Sequence, residues 1–298
     1  MKFKPAEKSN LTPVFCGDNF RAYSDPSCFH HDGKFYLFMT YSEKDDTFMY
    51  NMVAMSESSD LIHWSEPKIL TERNRNLNFS SPGNIIAVGD EYILSITSYP
   101  LPEPYKERFY ATDDARIFTM KTKDFKSFSE PQLIMAKGDM KVREMGRMID
   151  PYIFRDKDDF KKFYLFFKQN GVSMSHSTDL INWEFDGFSD GGENACVIVK
   201  DGEYYLIHSP DDGIGIKKSK DLSEWVDLGV TKLGKDNWEW ASGRLTAGFL
   251  MEAPKGFSYK YILFFHGSKK EIEPETHGGA SIAVAFTDNL KDYYVMEN

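Results

Sequence analysis

A short phrase that occurs five times sets the tightest limit on what this chain can fold into. Self-similarity at a regular interval implies one supersecondary unit packed against copies of itself. The phrase is Asp60-Leu61-Ile62-His63-Trp64. It returns as Asp124-Phe125-Lys126-Ser127-Phe128, as Asp179-Leu180-Ile181-Asn182-Trp183 and as Asp221-Leu222-Ser223-Glu224-Trp225, with a degenerate copy, Asp288-Asn289-Leu290-Lys291-Asp292-Tyr293, near the end. Each follows a short alternating segment, such as Met52-Val53-Ala54-Met55-Ser56, that predicts a strand. Upstream of each lies a second, aromatic-rich strand, predicted over residues 34–40, 91–97, 162–167, 203–208 and 260–266. Turns such as Asp32-Gly33 and Asp201-Gly202 lead into these strands, and their chemistry favours hairpins. A first strand precedes each turn, over 26–30, 84–88, 151–155, 195–200 and 245–252.

Four antiparallel strands recurring every roughly 45–65 residues describe a propeller blade. The sequence therefore predicts an all-β, five-bladed β-propeller, with four-stranded antiparallel blades around a central channel and a single domain over residues 1–298. A TIM barrel or doubly wound sheet would need helices between the strands, and no long amphipathic segment supplies them. Residues 1–20 are expected to form a closing segment on the last blade, because an unclosed ring leaves sheet edges exposed. The ring that ends each repeated phrase is expected in the core between blades.

Charge and composition bound the partners. A formal net charge of −10 disfavours nucleic acid and anionic membrane surfaces, which would repel the chain. Aromatic residues make up 15% of the sequence, which suits strands and also suits stacking on the faces of sugars. No stretch approaches the length of a membrane span. The first residues hold no apolar core of signal-peptide length, and Cys16, Cys28 and Cys196 have neither metal nor disulfide spacing. A cytoplasmic location is expected, or a secreted or periplasmic one if a leader has been removed.

In a propeller the residues that open the innermost strands converge at one mouth of the channel. Taken in order these are Ser24-Asp25-Pro26, Ser81-Pro82-Gly83, Ile149-Asp150-Pro151, Glu193-Asn194-Ala195 and Gly243-Arg244-Leu245. Three carboxylates and an arginine thus meet around one axis, where like charges repel. Glycoside hydrolysis uses such a gathering: one carboxylic acid protonates the leaving oxygen and one carboxylate activates water or attacks the sugar. A third acid can raise its neighbour's proton affinity.

Several of these segments carry a family likeness. Ser24-Asp25-Pro26-Ser27 with Asp32-Gly33-Lys34-Phe35-Tyr36, Ile149-Asp150-Pro151, and Glu193 ahead of Asp201-Gly202-Glu203-Tyr204-Tyr205-Leu206 resemble glycoside hydrolase family 43 and its five-bladed clan relatives, in blade order along the whole chain. The resemblance implies an inverting glycosidase for arabinose- or xylose-containing glycans or oligosaccharides. It implies Asp25 as general base, Glu193 as general acid and Asp150 as the carboxylate that tunes and orients that acid. Family members usually follow the acid with Gly-Pro, where this chain has Asn194-Ala195. The stretch Asn194-Ala195-Cys196 also resembles the Glu-Cys-Pro of retaining fructosidase-type relatives. Clan members of another kind, among them the 3,6-anhydrogalactosidase type, are a further alternative; where a histidine replaces the acid, His208 is the candidate. A non-catalytic carbohydrate-binding propeller is the remaining one. Arg244 is expected to contact a sugar hydroxyl or to pair with Asp150, and Tyr41, Phe79, His208 and Trp240 are further candidate substrate contacts. An insertion over residues 99–110 is expected to shape the cleft. No cofactor is required for this chemistry. The resemblance leaves room for a structural calcium ion in the central channel, with His266 as a candidate contact.

Overall fold

The computed structural model describes residues 2–46, 48–101, 112–270 and 279–297. After β1 (Phe3–Pro5) the strands fall into five groups. Blade one holds β2 (Arg21–His31), β3 (Lys34–Lys44), β4 (Met49–Ser58) and β5 (Lys68–Ile69). Blade two holds β6 (Phe79–Val88), β7 (Glu91–Ser98), β8 (Arg116–Thr122) and β9 (Gln132–Leu133). Blade three holds β10 (Ile149–Arg155), β11 (Phe163–Lys168), β12 (Val172–Ser177) and β13 (Glu184–Ser189). Blade four holds β14 (Glu193–Lys200), β15 (Glu203–Ser209), β16 (Ile214–Ser219) and β17 (Val226–Thr231). Blade five holds β18 (Arg244–Glu252), β19 (Tyr261–Ser268), β20 (Ser281–Thr287) and β21 (Tyr294–Met296). Neighbouring strands within each blade pair antiparallel in chain order, and the first strand of each lines the channel, packed on the first strands of the adjoining blades. The protein is an all-β, five-bladed propeller.

The repeated phrase is a turn with a single physical plan. The Ser58 hydroxyl accepts the Leu61 N–H at 2.9 Å, while Asp60 Oδ1 accepts the Ile62 and His63 N–H groups at 2.9 and 2.8 Å. Thr122, Ser177, Ser219 and Thr287 repeat the first bond in the other blades. The residue after the acid takes a left-handed conformation in every copy: φ is 65° at Leu61, 57° at Phe125, 62° at Leu180, 67° at Leu222 and 62° at Leu290. That conformation is unfavourable for a branched side chain, and the hydroxyl and carboxylate caps hold it in place. In the last copy Asn289, one residue after Asp288, plays the acid's part and accepts the Lys291 and Asp292 N–H groups. Trp64 meets Phe264 of blade five edge-on and Trp225 meets Phe166 of blade three, so these rings lie between blades.

The amino-terminal segment closes the ring. Strand β1 pairs antiparallel with β21, Phe3 opposite Met296, which gives blade five a fifth strand. Further along, Phe15 bridges to Ile282, and the indole N–H groups of Trp238 and Trp240 donate to the Ser9 and Leu11 carbonyls at 3.0 and 2.7 Å. No helix among the described residues is long and apolar enough to cross a membrane. Of the expected insertion at 99–110, residues 102–110 lie outside the described residues.

Candidate active site

One backbone irregularity, repeated in every blade, builds the mouth of the channel. Each innermost hairpin shifts register near its start, and the residue inside the shift has positive φ: Asp25 (48°), Ser81 (43°), Asp150 (53°), Asn194 (50°) and Ala247 (52°). An extra residue in a hairpin turns its side chain away from the ladder. A left-handed non-glycine residue costs of order 1–3 kcal/mol, so five in a ring mark a constrained site. These five residues occupy equivalent places. The sequence expectation put Glu193 and Arg244 there and needs correction: Glu193 precedes the blade-four position, Asn194, by one residue, and Arg244 precedes the blade-five position, Ala247, by three. Counting from strand starts fails because an irregularity within the hairpin changes the count.

The ring is stitched through its own N–H groups. Ser81 donates to Thr40 Oγ1 (2.7 Å), Asp150 to Thr97 Oγ1 (3.0 Å), Ala247 to Ser209 Oγ (2.7 Å) and Asp25 to His266 Nδ1 (3.0 Å). Each acceptor belongs to the second strand of the preceding blade, opposite the residue before that blade's own ring position. In blade three that place is held by Lys168, opposite Ile149. An ammonium cannot accept a hydrogen bond. The Asn194 N–H instead donates to Asp150 Oδ2 at 3.3 Å.

The Asp25 carboxylate is surrounded by donors. Its Oδ2 accepts from the hydroxyls of Thr40 (2.9 Å), Ser81 (3.3 Å) and Ser24 (3.3 Å), and its Oδ1 accepts from the Asn194 side-chain amide (3.3 Å). Thr40 has a single hydroxyl proton. Because its oxygen already accepts the Ser81 N–H, the arrangement directs that proton to Asp25. Asp150 is buried, and desolvation is the main reason its pKa rises to about 7. The charges of Glu193 and then Asp25 push the same way, opposed by the Arg147 cation and the Asn194 N–H. Tyr99 is fully buried and hydrogen-bonded to Ser81; burial and the charge of Asp150 hold its phenol protonated. Glu193 is half-buried at the rim, with Oε2 3.4 Å from the Arg244 guanidinium. Beneath the cluster, the channel space lined by Asp25, Ser81, Asp150 and Asn194 is about 20 Å³, room for a single water molecule.

The remaining candidates are placed differently. Arg244 lies beside Glu193 rather than Asp150, and its Nε donates to the Asp211 carbonyl at 3.0 Å. Tyr41 sits on the opposite face of β3 from Thr40, packed against Tyr23 with ring centroids 5.6 Å apart. Phe79 is buried against Phe118 in the core of blade two. Trp240 stacks on Trp238, 5.7 Å between centroids, and anchors the closing segment. These three aromatics pack on other rings and lie outside the cluster. His208 is buried, and burial together with the nearby Lys217 cation lowers its pKa to about 4. Its Nδ1 accepts the Gly192 N–H at 3.0 Å. His266 likewise spends Nδ1 on the Asp25 N–H, and among the described residues no three His, Cys, Asp or Glu side chains are grouped to hold a metal. Sequence reasoning gave no role to Thr40, and Ser81 and Asn194 stood in the strand-opening segments without one; superposing the blades on their ring positions would have assigned all three.

A five-bladed propeller with Asp25, Asp150 and Glu193 drawn to one mouth has the form of a glycoside hydrolase. Residues 18–199 match the glycosyl hydrolases family 32 N-terminal domain, a span that includes all three acids. The chain belongs to that family and is a glycosidase. No curated protein matches the sequence. Solved structures extend the likeness to families 43 and 62. The catalytic domain of a family 62 α-L-arabinofuranosidase from Coprinopsis cinerea has a TM-score of 0.68 at 12% identity, covering 94% of this chain and 97% of that one. The family 43 enzyme from Xanthomonas citri complexed with xylotriose has a TM-score of 0.61 at 15% identity, covering 92% and 89%. An exo-β-1,3-galactanase from Clostridium thermocellum has a TM-score of 0.64 at 16% identity; the match covers 92% of this chain but spans only 62% of the galactanase. At such identities the likeness is one of fold.

Proposed function

We propose that the protein hydrolyses the glycosidic bond of arabinose- or xylose-containing oligosaccharides with inversion at the anomeric carbon. The observation that carries this reading is the convergence of Asp25, Asp150 and Glu193, where burial first, and then the charges of Glu193 and Asp25, raise the Asp150 proton affinity. Glu193 gives its carboxylic proton to the leaving oxygen as the carbon–oxygen bond breaks. Asp25 takes a proton from water as the water oxygen bonds to the anomeric carbon from the opposite face. The donors around Asp25 suit a carboxylate that begins the cycle ionised, and the water-sized space beside it suits the nucleophile. Asp150 stands beside Glu193 as the carboxylate that orients it. Solvent then returns a proton to Glu193 and takes one from Asp25. The sugar assignment is supported by structural neighbours whose names describe an α-L-arabinofuranosidase and a β-xylosidase.

Membership of family 32 favours a second reading, in which Asp25 itself attacks the anomeric carbon and the configuration is retained. A panel of arabinosides, xylosides and fructosides, with the first-formed anomer read by NMR, separates the two. An inverted pentose product supports the first reading and a retained fructose product the second. Absence of turnover across the panel, with sugar still bound, would point to a carbohydrate-binding propeller.

A further inference from the structure

Lys168 breaks the fivefold pattern of the ring, and the place where it does so adjoins Glu193. In the other four blades the equivalent side chains, Thr40, Thr97, Ser209 and His266, accept the N–H of the next ring residue. Lysine forfeits that bond, so the position serves something other than stitching. Its ammonium enters a groove of about 570 Å³ beside the channel mouth, which Glu193 and Arg244 also line. That is room enough for a sugar ring. The Lys168 hydrogen bond goes to the Gly191 carbonyl at 3.4 Å, and among the described residues no carboxylate lies within 4.0 Å of it. Lys217, 8% exposed, projects into the same groove. It donates to the Asp190 carbonyl at 2.8 Å, with the solvent-exposed Asp190 carboxylate 3.7 Å away.

Lys217 is buried and Lys168 half-buried, and an ammonium satisfied chiefly by carbonyl dipoles retains most of its charge. Two such groups line one groove of a protein of net charge −10. The acids Asp190, Asp211 and Asp227 also line the groove, but all three residues are exposed, where water screens them. We propose that this groove is a subsite for a sugar bearing an anionic group, a carboxylate or a sulfate ester, held by Lys168 and Lys217. Glu193 faces the groove. If Glu193 protonates the leaving oxygen, the anionic sugar is the leaving portion of the substrate; this last point rests on the function proposed above, whereas the binding site does not.

Isothermal titration of the full chain with methyl β-D-glucuronoside, methyl β-D-glucoside and the 6-sulfate of the glucoside tests the site without requiring turnover. The expected result is at least tenfold tighter binding of an anionic probe than of the neutral one, weakened by added salt, with the stronger of the two anions naming the natural group. Lys168→Thr restores a hydrogen-bond acceptor at the position. It is expected to fold as stably as the parent or more so and to reduce the anionic preference tenfold, while Lys168→Arg keeps most of it. Equal affinities for all three probes, or a preference that survives Lys168→Thr, would overturn the proposal. A parent protein that prefers the anion but hydrolyses no glycoside would sink the hydrolase reading alone. One that hydrolyses glycosides yet shows no anionic preference would sink the subsite alone.

Discussion

Asp25 depends on a proton that belongs to another side chain. The Thr40 hydroxyl is locked as an acceptor toward the Ser81 N–H and as a donor toward Asp25, so one oxygen fixes both a blade contact and the Asp25 carboxylate. Thr40→Val keeps the shape and removes both bonds. It is expected to lower kcat/KM about ten- to a hundredfold and to cost about 1–3 kcal/mol of stability from the orphaned N–H, whereas Thr40→Ser restores most of both. Steady-state kinetics and thermal unfolding on the two variants provide the check. Asp150 carries the opposite balance. Its pKa is raised to about 7 in the folded protein, against about 3.9 when unfolded. The stability linked to its proton is therefore complete below about pH 4 and lost as pH rises through 7. Asp150→Asn removes that liability. At pH 8 the variant is expected to be more stable than the parent by on the order of 2–4 kcal/mol, with the difference shrinking toward pH 4. Denaturant titrations at the two pH values measure this, and a difference independent of pH would contradict the burial of a charged Asp150.

Among elements, the strands were legible and their irregularities were not. The second strand predicted over 34–40 runs over Lys34–Lys44, and that predicted over 203–208 runs over Glu203–Ser209, because alternating aromatics bounded by Asp-Gly turns leave few other choices. The register shift at each ring position leaves no compositional trace. Asp, Ser, Asp, Asn and Ala occupy it, residues of differing left-handed tolerance; in four the neighbouring blade's hydroxyl or imidazole accepts the N–H, and at Asn194 the Asp150 carboxylate does. Asp25 and Asp150 were found because each precedes a proline, Pro26 and Pro151. Glu193 was found as an acid but aligned one place out, and Arg244 three places out. The aromatic candidates Tyr41, Phe79 and Trp240 each pack on another ring, because a ring near a loop satisfies core packing as readily as it would a sugar face. Tight approach between inner strands also shows at Gly83, where an added Cβ would lie 1.3 Å from the Pro151 carbonyl oxygen. Gly83→Ala is accordingly expected to destabilise the protein by about 2–4 kcal/mol through backbone displacement between blades two and three. A neutral effect in urea unfolding would mean that those strands can separate freely.

Circular closure gives the whole molecule its site, since residues 125 and 168 positions apart in the chain meet only when the ring is complete. The closing contacts include β1 on β21, the bridge from Phe15 to Ile282, and two tryptophan N–H bonds to the segment between them. Removing residues 1–12 uncovers Trp238, among the most buried large side chains, and is expected to lower the Tm by about 10 °C or more. Activity should fall with it, because blade five presents His266 to Asp25. Division of labour among the three acids is the central claim, and leaving-group dependence tests it most directly. The measurement is kcat/KM on two glycosides of the same sugar, one with an alkyl leaving group and one with 2,4-dinitrophenolate, which departs without a proton. Glu193→Gln is expected to lose about 10²–10⁴-fold on the alkyl glycoside and little on the dinitrophenyl one, while Asp25→Asn loses heavily on both. Equal losses by Glu193→Gln on the two substrates, or undiminished turnover by Asp25→Asn, would contradict the account.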